Sequence, residues 1–406
     1  MQKFYHAKEI IPSLQGLYGR RNINDVARYE QVLCEFKRRF GYDYAYFCSS
    51  SGRVEVIGNH LDHNGGTVLG CAVNLDIVAA FRPSGTQAVR ILGKDRAPIR
   101  IDLNSDLSKP VGSAGLVKGV LVYLKNLGYE LGGFDVYTDS TVPSGAGVSS
   151  SAAFELMVGS IVNHCFNGGR VPPDILAKAG QFAENEYFNK PCGLLDQSVV
   201  AVGGLVKLDF ASGLQFERLT VANDDLQLVL IDTGSSHAQL SHLYAEIPAE
   251  MCAVAQHFGK SRLIEVDEKA FFDEYDAVRE SVGVRPALRA KHFFEENRRV
   301  SLCANALESG DIDTVLKLIN ESGDSSLYQL QNCAVDERDT AIYDAIAFAR
   351  SICPCGARVH GGGFAGTVLC VVSKAYSAQF VDKVAATYGL DRVLPLRIRP
   401  SGAIVL

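Results

Sequence analysis

The chain has 406 residues, 47% of them hydrophobic and 21% charged, with a net charge of −6. That balance is typical of a globular protein of more than one domain. It excludes a global basic field for holding nucleic acid or an anionic membrane surface, and no apolar run reaches the ~20 residues a membrane-spanning helix needs.

The opening stretch MQKFYHAKEIIPSLQG does not read as a charged-then-apolar leader. The first forty residues read as helices; NDVARYEQVLCEFKRRFG carries apolar residues at helical spacing and closes on a glycine. YAYFCSSSGRVEVIG reads as a strand running into a loop, and TVLGCAVNLDIVAAFRP and AVRILG as strands of one sheet. SAGLVKGVLVYLKNLG is an amphipathic helix, and GFDVYTDSTV a short strand that feeds VPSGAGVSSSAAFE. SSAAFELMVGSIVNHCF and DILAKAGQFAENEYF are helical, and GGLVKLDF and LQLVLIDTG are strands. From about Leu205 the pattern resets, with a long helical middle from His242 to about Gln331, then AIYDAIAFARSI, GTVLCVVS, SAQFVDKVAATYG and VLPLRIRP. The whole reads as an α+β chain of two interlocked domains, residues 1–205 and 206–406. Eleven cysteines, an odd number spread along the chain, read as thiols of a reducing compartment, the cytoplasm.

The boundary at Val142–Glu155 is sharp: glycines and serines, then good helix formers. Strand, glycine-rich turn and helix start together make a phosphate-binding arrangement. Gly145 and Gly147 let the backbone approach an anion, and the first N–H groups of the helix have no internal partners and sit at the positive end of its dipole. Ser149, Ser150 and Ser151 add hydroxyls for phosphate or Mg²⁺. The run is not the Walker pattern, since no Gly-Lys-Ser/Thr follows, and Ser150 stands where GxGxxG needs its third glycine.

Three other segments carry chemistry. In GRVEVIGNHLDHNGG (Gly52 to Gly66) Arg53, His60 and Asp62 offer directional donors and acceptors that suit a polyhydroxylated ligand. AENEYFNKPCGLLDQ (Ala183 to Gln197) supplies the carboxylates Glu184 and Asp196. GARVHGGGFAGTVLCVV (Gly356 to Val372) is a glycine loop that lets backbone pack closely. His60-x-x-His63 lacks a third ligand at fitting spacing and Cys353-Pro-Cys355 lacks a second pair, so neither reads as a metal site.

Together these segments resemble the GHMP small-molecule kinases, and galactokinases in particular. The glycine-serine run is similar to the second GHMP motif, usually Pro-x-Gly-x-Gly-Leu-Ser/Gly-Ser-Ser-Ala. Gly52–Gly66 resembles the galactokinase signature Gly-Arg-x-Asn-Leu-Ile-Gly-Glu-His-Thr-Asp-Tyr-Asn-Gly-Gly, with Arg53, Gly58, His60, Asp62, Asn64, Gly65 and Gly66 matching. Ala183–Gln197 resembles the segment that ends Pro-Cys-Gly-Ile-Met-Asp-Gln, and Gly361, Gly362, Gly363, Phe364 and Gly366 match the third motif. LVKGV (Leu116 to Val120) and AVNLDIVAAFRP (Ala72 to Pro83) also match corresponding segments, and Tyr244 falls where the family has a sugar-contacting Tyr. The likeness runs in order from about Tyr44 to Pro400.

The resemblance implies an N-terminal mixed-sheet domain carrying the first two motifs and a ferredoxin-like C-terminal domain carrying the third, with the active site between them. It makes VLPLRIRP a candidate to return to the first domain. The implied reaction moves the γ-phosphoryl of ATP to the anomeric hydroxyl of galactose. Asp196 would be the general base and Arg53 would stabilise charge on the transferring group. Gly145, Gly147, Ser149, Ser150 and Ser151 would hold ATP; Ser150 or Ser151 with Glu184 would hold Mg²⁺; Asn59, His60, Asp62, Gly193 and Tyr244 would meet the sugar. The sequence departs from the pattern at Asn59 (usually a Glu that accepts from the sugar), Leu61 (Thr) and His63 (Tyr), and AEIPAEM replaces a basic run after Tyr244. These departures leave N-acetylgalactosamine or another hexose open as substrate. A non-catalytic sugar and ATP sensor is a third reading, disfavoured by the complete Ser149–Ala153 run with Arg53 and Asp196. The expected partners are a sugar and ATP, with no nucleic acid, membrane or obligate protein partner.

Overall fold

The structure, a computed structural model, describes residues 2–406 save 19–22, 95, 106, 108–111, 146, 190–191, 223–224, 236–239, 337 and 365. Its first sheet contains β1 (Tyr46–Ile57), β2 (Thr67–Pro83), β3 (Ala88–Gly93), β4 (Arg96–Asp102), β5 (Phe134–Ser140), β6 (Leu205–Asp209) and β7 (Gln215–Leu219). The second contains β8 (Leu226–Asp232), β9 (Cys355–His360), β10 (Thr367–Ser373) and β11 (Val393–Leu396); β12 (Ile404–Val405) returns to the first. The first sheet has eight strands in the order β12-β1-β2-β5-β3-β4, with β6 on β2 and β7 on β6. It is mixed: β3 and β5 are parallel, the other pairs antiparallel.

Successive residues of a strand face opposite sides, and here both sides are covered. Phe47, Val78, Ala80 and Tyr137 face α1 (Ile11–Tyr18) and α2 (Ile23–Phe40). Cys48, Ala79, Phe81 and Val136 face α3 (Ser113–Asn126), α4 (Ser150–Asn167), α5 (Pro173–Phe182) and α6 (Leu195–Val202). Double coverage explains why all twelve residues of β1 are buried, serines included. By contrast β4 (RAPIRID) keeps only a short alternation of Ala97, Ile99 and Ile101 interrupted by Pro98, and β7 (QFERL) has none. Both are edge strands with mostly exposed side chains, so they escape a sequence reading.

The second sheet runs β11-β8-β10-β9, all antiparallel. Helices separate β8 from β9, a tight connection joins β9 to β10, and α13 (Lys374–Tyr388) leads to β11, which gives the split β-α-β of a ferredoxin-like domain. Between β8 and β9 lie α7 (Ser241–His257), α8 (Glu268–Asp273), α9 (Tyr275–Val282), α10 (Val284–Ser309), α11 (Ile312–Ser325) and α12 (Ala341–Ile352). Apolar side chains of α12 and α13 pack on one face of the sheet, while α10 and α11 share the other core with the first sheet.

The observed pairing shifts two expected boundaries. β6 and β7 belong to the first sheet, so the sheets divide between Leu219 and Leu226 rather than near residue 205. The strand in VLPLRIRP is β11 of the second sheet. The residues after it return: Val73 bridges Ile398, Arg399 donates to the carbonyl of Ala72 at 2.8 Å, and β12 pairs with β1. Arg399 is fully buried, and its Nη1 meets Asp76 at 2.9 Å. Burial opposes charge on Asp76, but Arg28 and Arg399 outweigh it and hold its carboxyl below the usual range.

Candidate active site

The site lies where β1, the loop before α4, the start of α6 and the β9–β10 loop meet. Ser149 precedes α4 in the left-handed region (φ 57°), and Gly145 and Gly147 also have positive φ. The serine therefore does not cap its own helix; its hydroxyl donates to Asp196 Oδ2. Arg53 takes the other oxygen: its Nε and Nη2 each lie 2.7 Å from Asp196 Oδ1. Arg53 Nη1 donates to the carbonyl of Gly147, and its backbone N–H reaches Val148 O at 3.2 Å. The guanidinium is 6% exposed and the carboxylate 30%, so Asp196 is held by a buried partner and keeps partial access to solvent. Ser150 and Ser151, partly exposed, open α4.

Asp62 stands against this centre. It accepts from the backbone N–H of His63 at 2.9 Å and also from that of Leu195, the first residue of α6. Burial raises its carboxyl above the usual range, and the charge of Asp196 adds to the rise. Gly193 makes the approach possible: a Cβ there would lie 1.7 Å from Asp62 Oδ2.

Glu184 sits on a single π turn, Ala183–Tyr187, that continues α5 and holds the carboxylate inward at 2% exposure. The sequence shows one helix through this region; the widened turn, a common feature of functional sites, is not legible in its periodicity. Gly119 of the LVKGV segment packs on the turn, where a Cβ would come within 2.6 Å of Ala183 Cα. The Cys192 thiol is pushed far up by burial first, then by Glu184 and Asp196, so both carboxylates converge on it.

His60, at φ 60°, donates from Nε2 to Gly362 O at 2.9 Å. A carbonyl can only accept, so His60 Nδ1 accepts from His63 Nε2 at 3.4 Å, and His63 Nδ1 accepts from Asn64 at 2.9 Å. The pair is thus a hydrogen-bonded relay, and among the described residues no group of three potential ligands is placed for a metal. Tyr244 donates to Gly363 O at 2.9 Å and packs edge-on against Phe364, 5.5 Å between centroids. His60 and Tyr244 are therefore both tied to the third-motif loop.

Asn59 differs from the others. It is 1% exposed. Its amide donates to Glu55 Oε1 (3.0 Å) and Gly361 O (2.7 Å), while its carbonyl accepts from Asn332 at 2.7 Å. The structure brings Arg53, Asp62, Ser149, Gly193 and Asp196 together, ties His60 and Tyr244 to the third-motif loop, and puts Asn59 in the seam between the two sheets. That seam holds residues the sequence reading passes over: Glu55, Arg358, His360, His292 and Glu296. Arg358 Nη2 meets Glu55 at 2.7 Å with both side chains buried, and His360 Nε2 accepts from the Glu55 N–H at 3.2 Å. Glu296 accepts from the N–H of Gly58 at 3.0 Å. The detectable signals were the Glu in place of the signature's Asn at position 55 and the His just before the triple glycine.

The seam makes the fold acid-sensitive. Burial lowers His60 to about 3 and His63 to about 4, and lowers His292 and His360 as well. An unfolded imidazole titrates near ~6.5, so below that pH the unfolded chain binds more protons than the folded one. Stability is complete above ~6.5 and falls with pH, by up to ~1.4 kcal/mol per pH unit for each imidazole. We expect urea midpoints to hold between pH 8 and 7 and to fall from 6.5 to 5. A flat midpoint over that interval would contradict the neutral relay.

A ferredoxin-like half, a glycine-serine loop opening a helix and a carboxylate–arginine pair at the seam define a small-molecule kinase of the GHMP type. Residues 115–204 match the GHMP kinases N terminal domain, and residues 34–83 the galactokinase galactose-binding signature. The chain is 30% identical over 377 residues to the galactokinase of Limosilactobacillus reuteri (strain DSM 20016), covering 88% of this chain and 94% of that one. It is 28% identical over 376 residues to the galactokinase of Clostridium tetani, covering 90% and 92%. Among solved structures it matches Lactococcus lactis galactokinase complexed with galactose at a TM-score of 0.82 and 25% identity, covering 95% of this chain and all of that one (100%). The mevalonate kinase of Methanococcus jannaschii shares the fold at a TM-score of 0.63 and 15% identity, covering 87% and 98%. The chain belongs to the galactokinase family.

Proposed function

We propose that the chain transfers the γ-phosphoryl of ATP to the anomeric hydroxyl of galactose. The observation that carries this reading is Asp196, gripped by Arg53 and Ser149 at the start of the phosphate-loop helix and partly exposed to solvent. A carboxylate so held can take the proton of a sugar hydroxyl without moving. Arg53 orients it and places positive charge beside the transferring group. Gly145, Gly147, Ser150 and Ser151 receive the phosphates, with Ser149 reserved for Asp196. Asp62, His60, Gly193 and Tyr244 form the sugar side, and Asn59 supports that side from the seam.

Mg²⁺ is the metal we assign. Serine hydroxyls and the buried Glu184 carboxylate are the hard oxygen donors it prefers, and the convergence of Glu184 and Asp196 on Cys192 concentrates negative charge that a cation would offset. Bound there, Mg²⁺ would neutralise charge on the ATP phosphates. Turnover should stop with EDTA and return with Mg²⁺, and Glu184→Gln should raise the half-saturating Mg²⁺ concentration at least roughly tenfold. An unchanged Mg²⁺ requirement would remove Glu184 from the site.

The cytoplasm is the compartment we assign, supported by eleven cysteines that are all free thiols. No helix among the described residues is long and apolar enough to cross a membrane. The reading is tested by ADP release with MgATP across galactose, N-acetylgalactosamine, glucose, galacturonate, arabinose and fucose. Galactose should be turned over best. Preference for another sugar would keep the kinase and change the substrate, and sugar binding without ADP release would turn the reading into a sensor.

A further inference from the structure

We propose that Asn64 and His63 are positioning residues that place the third-motif loop beside the sugar site by fixing which ring nitrogen of His60 carries its hydrogen.

The relay is closed at both ends by main-chain groups. At one end the N–H of Leu263 donates to Asn64 Oδ1 at 3.2 Å. At the other the carbonyl of Gly362 accepts from His60 Nε2 at 2.9 Å. A main-chain N–H can only donate and a carbonyl can only accept, so the three side chains between them must point their hydrogens one way. Asn64 turns its oxygen to Leu263 and so presents its amide N–H to His63 Nδ1 at 2.9 Å. That leaves the hydrogen of neutral His63 on Nε2, aimed at His60 Nδ1 across the longest link, 3.4 Å. His60 then carries its own hydrogen on Nε2, facing Gly362. The tautomer of each imidazole is set by the bond its other nitrogen makes, so the sense chosen at Asn64 is passed along to the loop.

Both ends are anchored by contacts of their own. Leu263 opens the 3₁₀ turn Leu263–Glu265, and the Arg262 guanidinium before it donates to the carbonyls of Phe210 (3.3 Å) and Ala211 (3.0 Å). Gly65, at φ 82°, lets the sugar loop close on this turn: a Cβ there would lie 2.6 Å from Ile264 Cγ2. Asn64 is 2% exposed, so water is a poor substitute for its partners. At the far end Gly362 O also accepts from Asn332 at 3.1 Å, and a Cβ at Gly362 would come within 2.4 Å of the Tyr244 ring. The relay thus ties the turn after α7, through the sugar loop, to the loop on which Tyr244 leans.

The sense of the bonds matters as well as their number. His63→Gln keeps an acceptor and a donor on one planar group and can pass the hydrogen in the same direction. His63→Leu passes nothing. It leaves the Asn64 amide and His60 Nδ1 without these partners and frees His60 to carry its hydrogen on either nitrogen. With the hydrogen on Nδ1, a lone pair of Nε2 would face Gly362 O and the tie would be lost.

The experiment compares the full-length wild type, His63→Gln and His63→Leu. ¹⁵N NMR of histidine-labelled protein without ligand, with signals assigned by their loss in His60→Gln and His63→Gln, should show both wild-type rings neutral with hydrogen on Nε2 at pH 8. Amide exchange of peptides containing Gly361–Phe364 should be faster in His63→Leu by at least about fivefold and near wild type in His63→Gln. The galactose KM should rise about tenfold in His63→Leu and stay within about threefold of wild type in His63→Gln, with smaller changes in kcat. Hydrogen on Nδ1 of either wild-type ring, unchanged loop exchange or galactose KM in His63→Leu, or His63→Gln behaving like His63→Leu would each overturn the proposal. If His63→Leu does not fold, the wild-type tautomers and the loop exchange of His63→Gln still decide. The kinetic arm rests on the galactose reading above, while the NMR and exchange arms use no sugar. The expected tautomers and loop exchange without galactose turnover would therefore leave the relay standing and sink the substrate assignment.

Discussion

Asp196→Asn is expected to lower kcat by ~10²–10⁴-fold, the range a general base contributes, with a smaller change in the galactose KM. The substitution preserves shape and removes the proton acceptor. It also sets an amide against partners chosen for a carboxylate: Arg53 donates to one oxygen and Ser149 to the other. An amide can satisfy one of these donors with its carbonyl but turns its own N–H groups on the second. Arg53 keeps its bond to Gly147, so the phosphate loop stays anchored. Asp196 is partly open to solvent, so the fold should survive with a thermal midpoint near that of the wild type. Retention of more than about a tenth of the wild-type kcat would mean that Asp196 orients groups without taking the proton.

Gly193→Ala should be nearly as damaging through geometry alone. Its Cβ would stand 1.7 Å from Asp62 Oδ2 and 2.6 Å from Asp62 Cγ, closer than non-bonded atoms can approach. Asp62 must leave, and with it go its bonds to the N–H groups of His63 and Leu195. Leu195 opens α6, whose second residue is Asp196, so relief at Gly193 shifts both the sugar loop and the base. A misplacement of about 1 Å costs on the order of 10² in rate, and we expect a loss of that size in kcat/KM for galactose. The KM for ATP should change little, because Arg53 holds the phosphate loop separately, donating to the carbonyls of Gly147 and Val148. Wild-type kinetics in this variant would refute the contact between Asp62 and Gly193.

These effects concentrate at places where the chain is legible to different degrees. The phosphate loop, Asp196 and Arg53 stand in dense runs of glycine, serine and charge, and such runs have few purposes in a globular chain. The core strands β1 and β2 are legible for a similar reason: burial on both faces makes them mostly apolar or small. β7 is hidden because an edge strand needs no apolar face, and β4 because its short Ala97-Ile99-Ile101 alternation is broken by a proline. Glu184 was visible as a residue but its inward aim was not, since a π turn leaves no periodic trace. Asn59 shows the other limit. Its position in a sugar-binding pattern suggested a ligand contact, whereas its surroundings, drawn from β1, α10, Asn332 and the third-motif loop, make it part of the seam. Contacts between residues some three hundred positions apart are not written in any local stretch.

The measurement that tests the central reading most directly is the identity of the product formed from galactose and MgATP. ³¹P and ¹³C NMR of the reaction mixture should show ADP and a single sugar phosphate, with the phosphorus coupled to the anomeric carbon. Galactose-dependent ADP with phosphorus on another carbon, or no sugar phosphate from galactose at all, would contradict it.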